Sequence, residues 1–369
     1  MGTRLKVGLV LVLPILATAV VVGNRLADGL DTGRDLDRAG ALATAVRAGG
    51  DLVESLQDER AAAVKLQGAM AQTARSRQQA AYRQAWSEVD RAATDYAAGR
   101  GPLTGLPGDV VTRLARVDEG LRGLTEVRSA VGRASLAVTD VARAYTALVD
   151  DLLRVRDDAA ARVADHALAS RLRAAAALAR EKEQVSQGRL VVLHAYVAGA
   201  LNANLQKEFI AAQSRRLQSV ETFAAVATEA EQERYDRTVT GTSLRTTAAF
   251  EGWILGAMPP TGNLATAPFT IDTWDAAQRE HGRLIRAVEE GLDADAVAAV
   301  TTARADGRRG LLLWTGVPLV LLLLAVLFAW WVARSMSRPR GEPPADAGDT
   351  TGPVTPDRPL ATTGDRPAG

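Results

Sequence analysis

The sequence has no cysteine, which excludes disulfides, thiolate metal sites and cysteine nucleophiles. Histidine is scarce as well. His166, His194 and His281 are the whole complement, and none has a second histidine at metal-ligand spacing. There is no glycine-rich phosphate loop, no G-x-S-x-G elbow and no kinase signature. No metal or cofactor is expected, and the chain is not expected to be an enzyme. Neither sign of charge prevails, the net charge being +1, so nothing points to nucleic acid as a partner. Aromatic residues make up 4% of the chain. Sustained two-residue alternation of apolar and polar residues is missing too, which argues against a sheet.

What remains is rich in alanine and arginine, at the helix-forming end of the propensity scale. Val141, Tyr145, Leu148, Leu152 and Val155 recur at steps of four and three, and so do Val110, Leu114, Val117, Leu121 and Leu124. Trp274, His281, Leu284, Val288 and Leu292 follow the same period with one turn skipped. Such stripes belong to amphipathic helices packed on one side. Residues 99–108 and 259–268 carry the proline and glycine of loops. Asp272 is a candidate N-cap for the helix holding Trp274. His281, on an apolar stripe, reads as a core histidine. The expected fold is all-α, an up-and-down helical bundle. A faint internal repeat sets residues 52–66 on 181–195 and Arg60 on Arg189, implying two similar halves.

Two segments are of another kind. Residues 7–23 form an unbroken apolar run after Arg4 and Lys6, and residues 310–332 a longer one with Trp314, Trp330 and Trp331 near its ends. A membrane span needs about 20 apolar residues, and interfacial tryptophans are usual. The first run reads as an uncleaved anchor or as a cleavable signal peptide; the anchor is favoured because the run continues through residues 20–22. Flanking basic residues put both termini inside and residues 30–308 outside. The organisation expected is an N-terminal transmembrane anchor at 1–29, a helical domain at 30–308, a transmembrane helix at 309–334, and a tail at 335–369. That tail is rich in Pro, Gly, Asp and Thr and too poor in large apolar residues to bury a core.

Two arginines lie on apolar stripes. Arg60 shares a face with Val53, Leu56 and Val64, and Arg189 with Val185, Leu193 and Tyr196. A guanidinium withdrawn from water needs compensation. It can snorkel or pair with a carboxylate such as Glu59 or Glu183. Alternatively, the two arginines hold a planar oxyanion, whose geometry matches the guanidinium fork. On that last reading the apo fold would tolerate alanine at either position.

LVESLQDER at 52–60 and ALAREKEQVSQGRL at 177–190 resemble the nitrate- and nitrite-sensing (NIT) domain. AYTALVDDLL, ERYDRTVTG and TWDAAQREHGRLIRAVEEGL continue the likeness, which covers roughly residues 40–300. The resemblance implies an all-helical bundle that holds its anion with arginines, commonly the extracytoplasmic part of a bacterial receptor. Carried over, the ligand-binding residues are Arg60 and Arg189, with Arg245 a second candidate for the latter. The sequence departs from the family where Ala61-Ala62-Ala63 replaces the usual glycine and nearby serine, so a hydroxyl that could orient the ligand is absent. The expected function is a membrane-bound sensor for a small anion, nitrate or nitrite. It would be a homodimer and signal through a partner such as a separate kinase or GTPase module. The alternative is a structural or scaffolding membrane protein with a degenerate, ligand-free sensing domain.

Overall fold

A computed structural model describes the backbone of residues 3–69, 71–100 and 106–336, and the side chains chiefly of residues 33–306. All regular structure among the described residues is helical. In chain order the helices are α1 (Thr3–Gly68), α2 (Gln72–Gly99), α3 (Gly108–Gly132), α4 (Val138–Arg162), α5 (His166–Ala198), α6 (Ala203–Val226), α7 (Glu229–Thr238), α8 (Thr242–Gly256) and α9 (Ile271–Met336), with a 3-10 turn at Leu264–Thr266.

Local chemistry sets several of the boundaries. Asp165 accepts from the Leu168 amide and Asn202 from those of Asn204 and Leu205, capping α5 and α6. Thr228 and Glu231 form a reciprocal capping box at α7. α5 ends at Gly199 with φ +86°, a left-handed conformation that glycine adopts without a Cβ clash. For α9 the capping side chain is Thr270, whose Oγ1 accepts from the Thr273 amide. Asp272 therefore lies in the first turn rather than at the cap, and its carboxylate reaches Lys65 instead.

The core follows the apolar stripes. Val110, Leu114, Val117 and Leu124 of α3 and Val141, Tyr145, Leu148, Leu152 and Val155 of α4 are buried in one cluster with α1 and α2. A second cluster joins Ala61 and Val64 of α1 to α5, α6, the 3-10 turn and Trp274 of α9. Beside Trp274 stand Phe209, Phe250 and Phe269, with ring centroids 5.4–6.5 Å from it. A third cluster packs α5 against Ile285, Val288 and Leu292 of α9 and Phe223 of α6. α1 to α4 thus enclose one core and α5 to α9 another, while α1, α4, α5 and α9 share a seam.

That seam is charged. Arg156 of α4 forks onto Asp293 of α9 with both contacts at 2.8 Å and reaches Glu289 at 2.9 Å. Arg286 contacts Glu289 at 3.1 Å and Asp51 of α1 at 2.8 Å. Lys182 of α5 lies 3.0 Å from Glu289. The cations hold the Glu289 carboxyl down at about 2 against a burial that works the other way.

Compactness divides the chain at Val317/Pro318. In the second unit α9 continues to Met336, and Val320, Leu323, Leu324, Val326, Leu327, Phe328, Trp330 and Trp331 are all exposed. Among the described residues no helix is long and apolar enough to cross a membrane. The apolar run at 7–23 and most of the one at 310–332 have side chains outside the described residues, as does the tail from residue 337.

Two buried groups in the second core oppose one another in acid. Burial pushes the Glu181 carboxyl up to about 7, partly offset by the Tyr235 hydroxyl that donates to it. Burial, with Arg216 nearby, pushes His281 down to about 4. Glu181 holds its proton more tightly folded than unfolded, so its contribution is present below 4.5 and lost as pH rises through 7. For His281 the contribution is present above 6.5 and lost as pH falls through 4. Each amounts to roughly 3 kcal/mol, and over the shared window they cancel. Urea unfolding across that window is expected to show stability rising with pH in Glu181→Gln and falling with pH in His281→Leu, relative to the unaltered chain. Parallel curves for all three would contradict this account.

Candidate anion site

Consecutive helical residues point about 100° apart, and the Glu59-Arg60 pair uses this to serve two places. Glu59 turns into the first core. There Arg128 forks onto it at 2.7 and 2.8 Å, and Tyr145 donates to it at 2.8 Å. Arg60 turns to the seam and is fully buried. Its Nη1 donates to Glu183 Oε1 at 2.9 Å and to Thr146 Oγ1 at 2.7 Å. Its Nη2 donates to Ser186 Oγ at 2.8 Å and to Glu183 Oε2 at 3.2 Å. Gln57 donates to the same carboxylate at 2.7 Å. Of the two carboxylates open to Arg60 in the sequence, Glu183 is its partner.

Arg189 lies one turn of α5 beyond Ser186. Its Nε donates to Asp275 at 2.7 Å and its Nη1 to Asp58 at 2.6 Å. Burial alone would weaken its charge, but these two carboxylates outweigh burial and its pKa is raised. Asp275 responds in kind: burial favours its protonated form, yet Arg189 and Lys65 hold its pKa low. Trp274 Nε1 donates to the Arg189 carbonyl at 3.2 Å, fixing this turn of α5 against α9.

Between α1, α5 and α9 is a small cavity of about 20 Å³, with Gln57, Asp58, Lys182, Ser186, Arg189 and Gln278 in its wall. That is room for one water-sized body. Arg189 Nη2 has no hydrogen-bond partner, and neither does Lys182 Nζ. Arg60 does not line the cavity but reaches its wall through Ser186. Asp58 and Arg279 also line a wider outer groove of about 160 Å³ bounded by Lys65, Asp275 and α2.

The two arginines singled out in the sequence are thus gathered at one seam, Ser186 accepting from Arg60 one turn of α5 before Arg189. Arg245 is not part of it: it is exposed at the start of α8, donating to Thr242. The hydroxyls missing after Arg60 are supplied from other helices, by Ser186 of α5 and Thr146 of α4. Lys182, Asp58 and Asp275 escaped the sequence reading. The signal for Lys182 was its place at i, i+4 and i+7 with Ser186 and Arg189, which puts all three on one face of α5. Among the described residues no cluster of three or more potential metal ligands occurs.

A family model described as nitrate and nitrite sensing matches residues 51–297, more than half of the chain. The chain belongs to that nitrate- and nitrite-sensing (NIT) family. A solved structure, that of the NasR transcription antiterminator, is similar to it with a TM-score of 0.63 and 19% identity, over 83% of this chain and 82% of that one. At that identity the likeness speaks for the fold. Comparison with curated protein sequences finds no match.

The pairing of Arg60 corrects one expectation. Its charge is compensated, so alanine there leaves Glu183 buried without its cation, a change that typically costs about 3–5 kcal/mol. Arg60→Ala is therefore expected to lower the urea midpoint markedly. The double variant Arg60→Met/Glu183→Leu, which removes both charges, is expected to recover most of the loss. Independent, additive losses would show that the pair does not couple the helices.

Proposed function

We propose that this chain is a receptor for a small planar oxyanion, nitrate or nitrite, held at the α1–α5–α9 seam by Arg189 and Arg60. The observation that carries the reading is the cavity beside Arg189, whose wall holds two cationic side chains, Arg189 and Lys182, each with a nitrogen that has no hydrogen-bond partner. Family membership supplies the ligand class. The cavity is smaller than the ligand, and the forks of both arginines are engaged by carboxylates. Binding is thus an exchange: the anion replaces Asp58 on Arg189 and approaches Arg60 past Ser186. The outer groove, which shares Asp58 and Arg279 with the cavity, is the access route.

The receptor is membrane-bound on this reading, with residues 30–308 extracytoplasmic. Support comes from the eight large apolar residues exposed between Val320 and Trp331, since a helix apolar on all sides needs surroundings other than water. α9 begins beside the site, with Asp275, and ends in that apolar stretch. An anion can bias the packing of α9 only by binding one arrangement better than another, and the output passes to a partner protein. The scaffold alternative draws on one fact, that both arginines already have carboxylate partners.

Calorimetry decides between them. Nitrate or nitrite is expected to release heat on binding the purified chain. Arg189→Ala and Arg60→Lys are expected to bind at least tenfold more weakly, because each loses a charge-assisted fork. Asp58→Asn, freed of its competing charge, is expected to bind several-fold more tightly. Silence with both anions, in every variant, would give the scaffold reading the field. For the membrane, the chain is expected to stay in the pellet through alkaline carbonate washing, and a reporter fused after Gly369 to be active on the cytoplasmic side. A mature N-terminus near Val20 would leave a single C-terminal anchor.

A further inference from the structure

Lys182 is 2% exposed, and a buried ammonium is costly unless it is both paired and hydrogen-bonded. Its carboxylate contact is an ion pair with Glu289 Oε2 at 3.0 Å, and its Nζ has no well-aligned hydrogen-bond partner. Glu289 is shared, because Arg156 at 2.9 Å and Arg286 at 3.1 Å contact the other oxygen of the same carboxylate. Lys182 thus shares its one contacting carboxylate with two arginines, each of which has a second carboxylate of its own. It stands on the face of α5 that carries Ser186 and Arg189, and all three line the same cavity.

We propose that Lys182 is a third ligand of the anion, its ammonium joining the guanidinium of Arg189 in the wall of the same cavity. The inference rests on the anion-receptor reading above. The groups around Lys182 come from every packed helix: Glu54 and Asp58 of α1, Arg156 of α4 through Glu289, Arg189 on its own helix, and Arg279, Arg286 and Glu289 of α9. Burial lowers the pKa of Lys182 from its ordinary value, with Arg286 in the same sense and Glu289 and Glu54 opposing. Burial raises that of Glu54, which also lines the cavity. An anion in the cavity favours the charged ammonium, so its binding draws a proton onto Lys182. By the same linkage, affinity falls as pH rises through the anion-free pKa of Lys182.

The test is nitrate and nitrite titration of the purified full-length chain, between neutral pH and the ordinary lysine value of 10.5, in buffers of different ionisation heat. Lys182→Met is expected to bind about tenfold more weakly or worse, the loss of one charge-assisted donor. Lys182→Arg keeps the charge and is expected to bind while losing both the proton uptake and the alkaline decline in affinity. The arginine variant also decides the matter if the methionine variant does not fold. Lys182→Met binding as tightly as the unaltered chain, or Lys182→Arg keeping the same pH dependence, would overturn the inference and leave the receptor reading intact. No heat from the unaltered chain with either anion would overturn both.

Discussion

Arg60 and Glu183 meet where α1, α4 and α5 come together, with contacts at 2.9 and 3.2 Å and neither side chain open to water. Removing a guanidinium and a carboxylate from water costs several kcal/mol each, and only close, hydrogen-bonded pairing offsets it. That condition ties down Gln57, Thr146 and Ser186, which complete the polar coordination. It also fixes the register of α1 on α5, since a shift of one residue would turn Arg60 into the aliphatic core. Apolar packing alone would tolerate more than one such register.

The same constraint repeats along the seam. Arg189 with Asp58 and Asp275, Lys182 with Glu289, and Arg156 with Asp293 follow one another down α5 and α9. A seam of charges differs from an apolar one in its response to a ligand. Adding or displacing one negative charge alters the balance of every neighbour in a low-dielectric surround. The helices that carry this balance, α1 and α9, are also the two that extend beyond the bundle in sequence.

The helical class was legible residue by residue. The stripes on α3 and α4 are buried as their spacing implies, and His281 is a core residue, 1% exposed. Arg60 and Arg189 were legible as anomalies, charges on apolar faces. Their partners were legible only in part: Glu183, 123 residues from Arg60, was one of two carboxylates open to it, while Asp275, 86 residues from Arg189, carried no signal. The cap of α9 was missed by two residues because threonine and aspartate serve equally well as caps, and only the path of the chain into the helix chooses between them.

Periodicity and composition are local properties, so the sequence by itself determined that the chain is helical, which faces are buried, and which two arginines sit where a charge does not belong. Compensation of a buried charge is a non-local property. It depends on which carboxylate another helix brings within 3 Å, and no spacing along the chain encodes that distance. Only the tertiary structure decided that Glu183, Asp58 and Asp275 answer the arginines, that Ser186 and Thr146 supply the hydroxyls absent after Arg60, and that Lys182 is left facing the cavity without a hydrogen-bond partner.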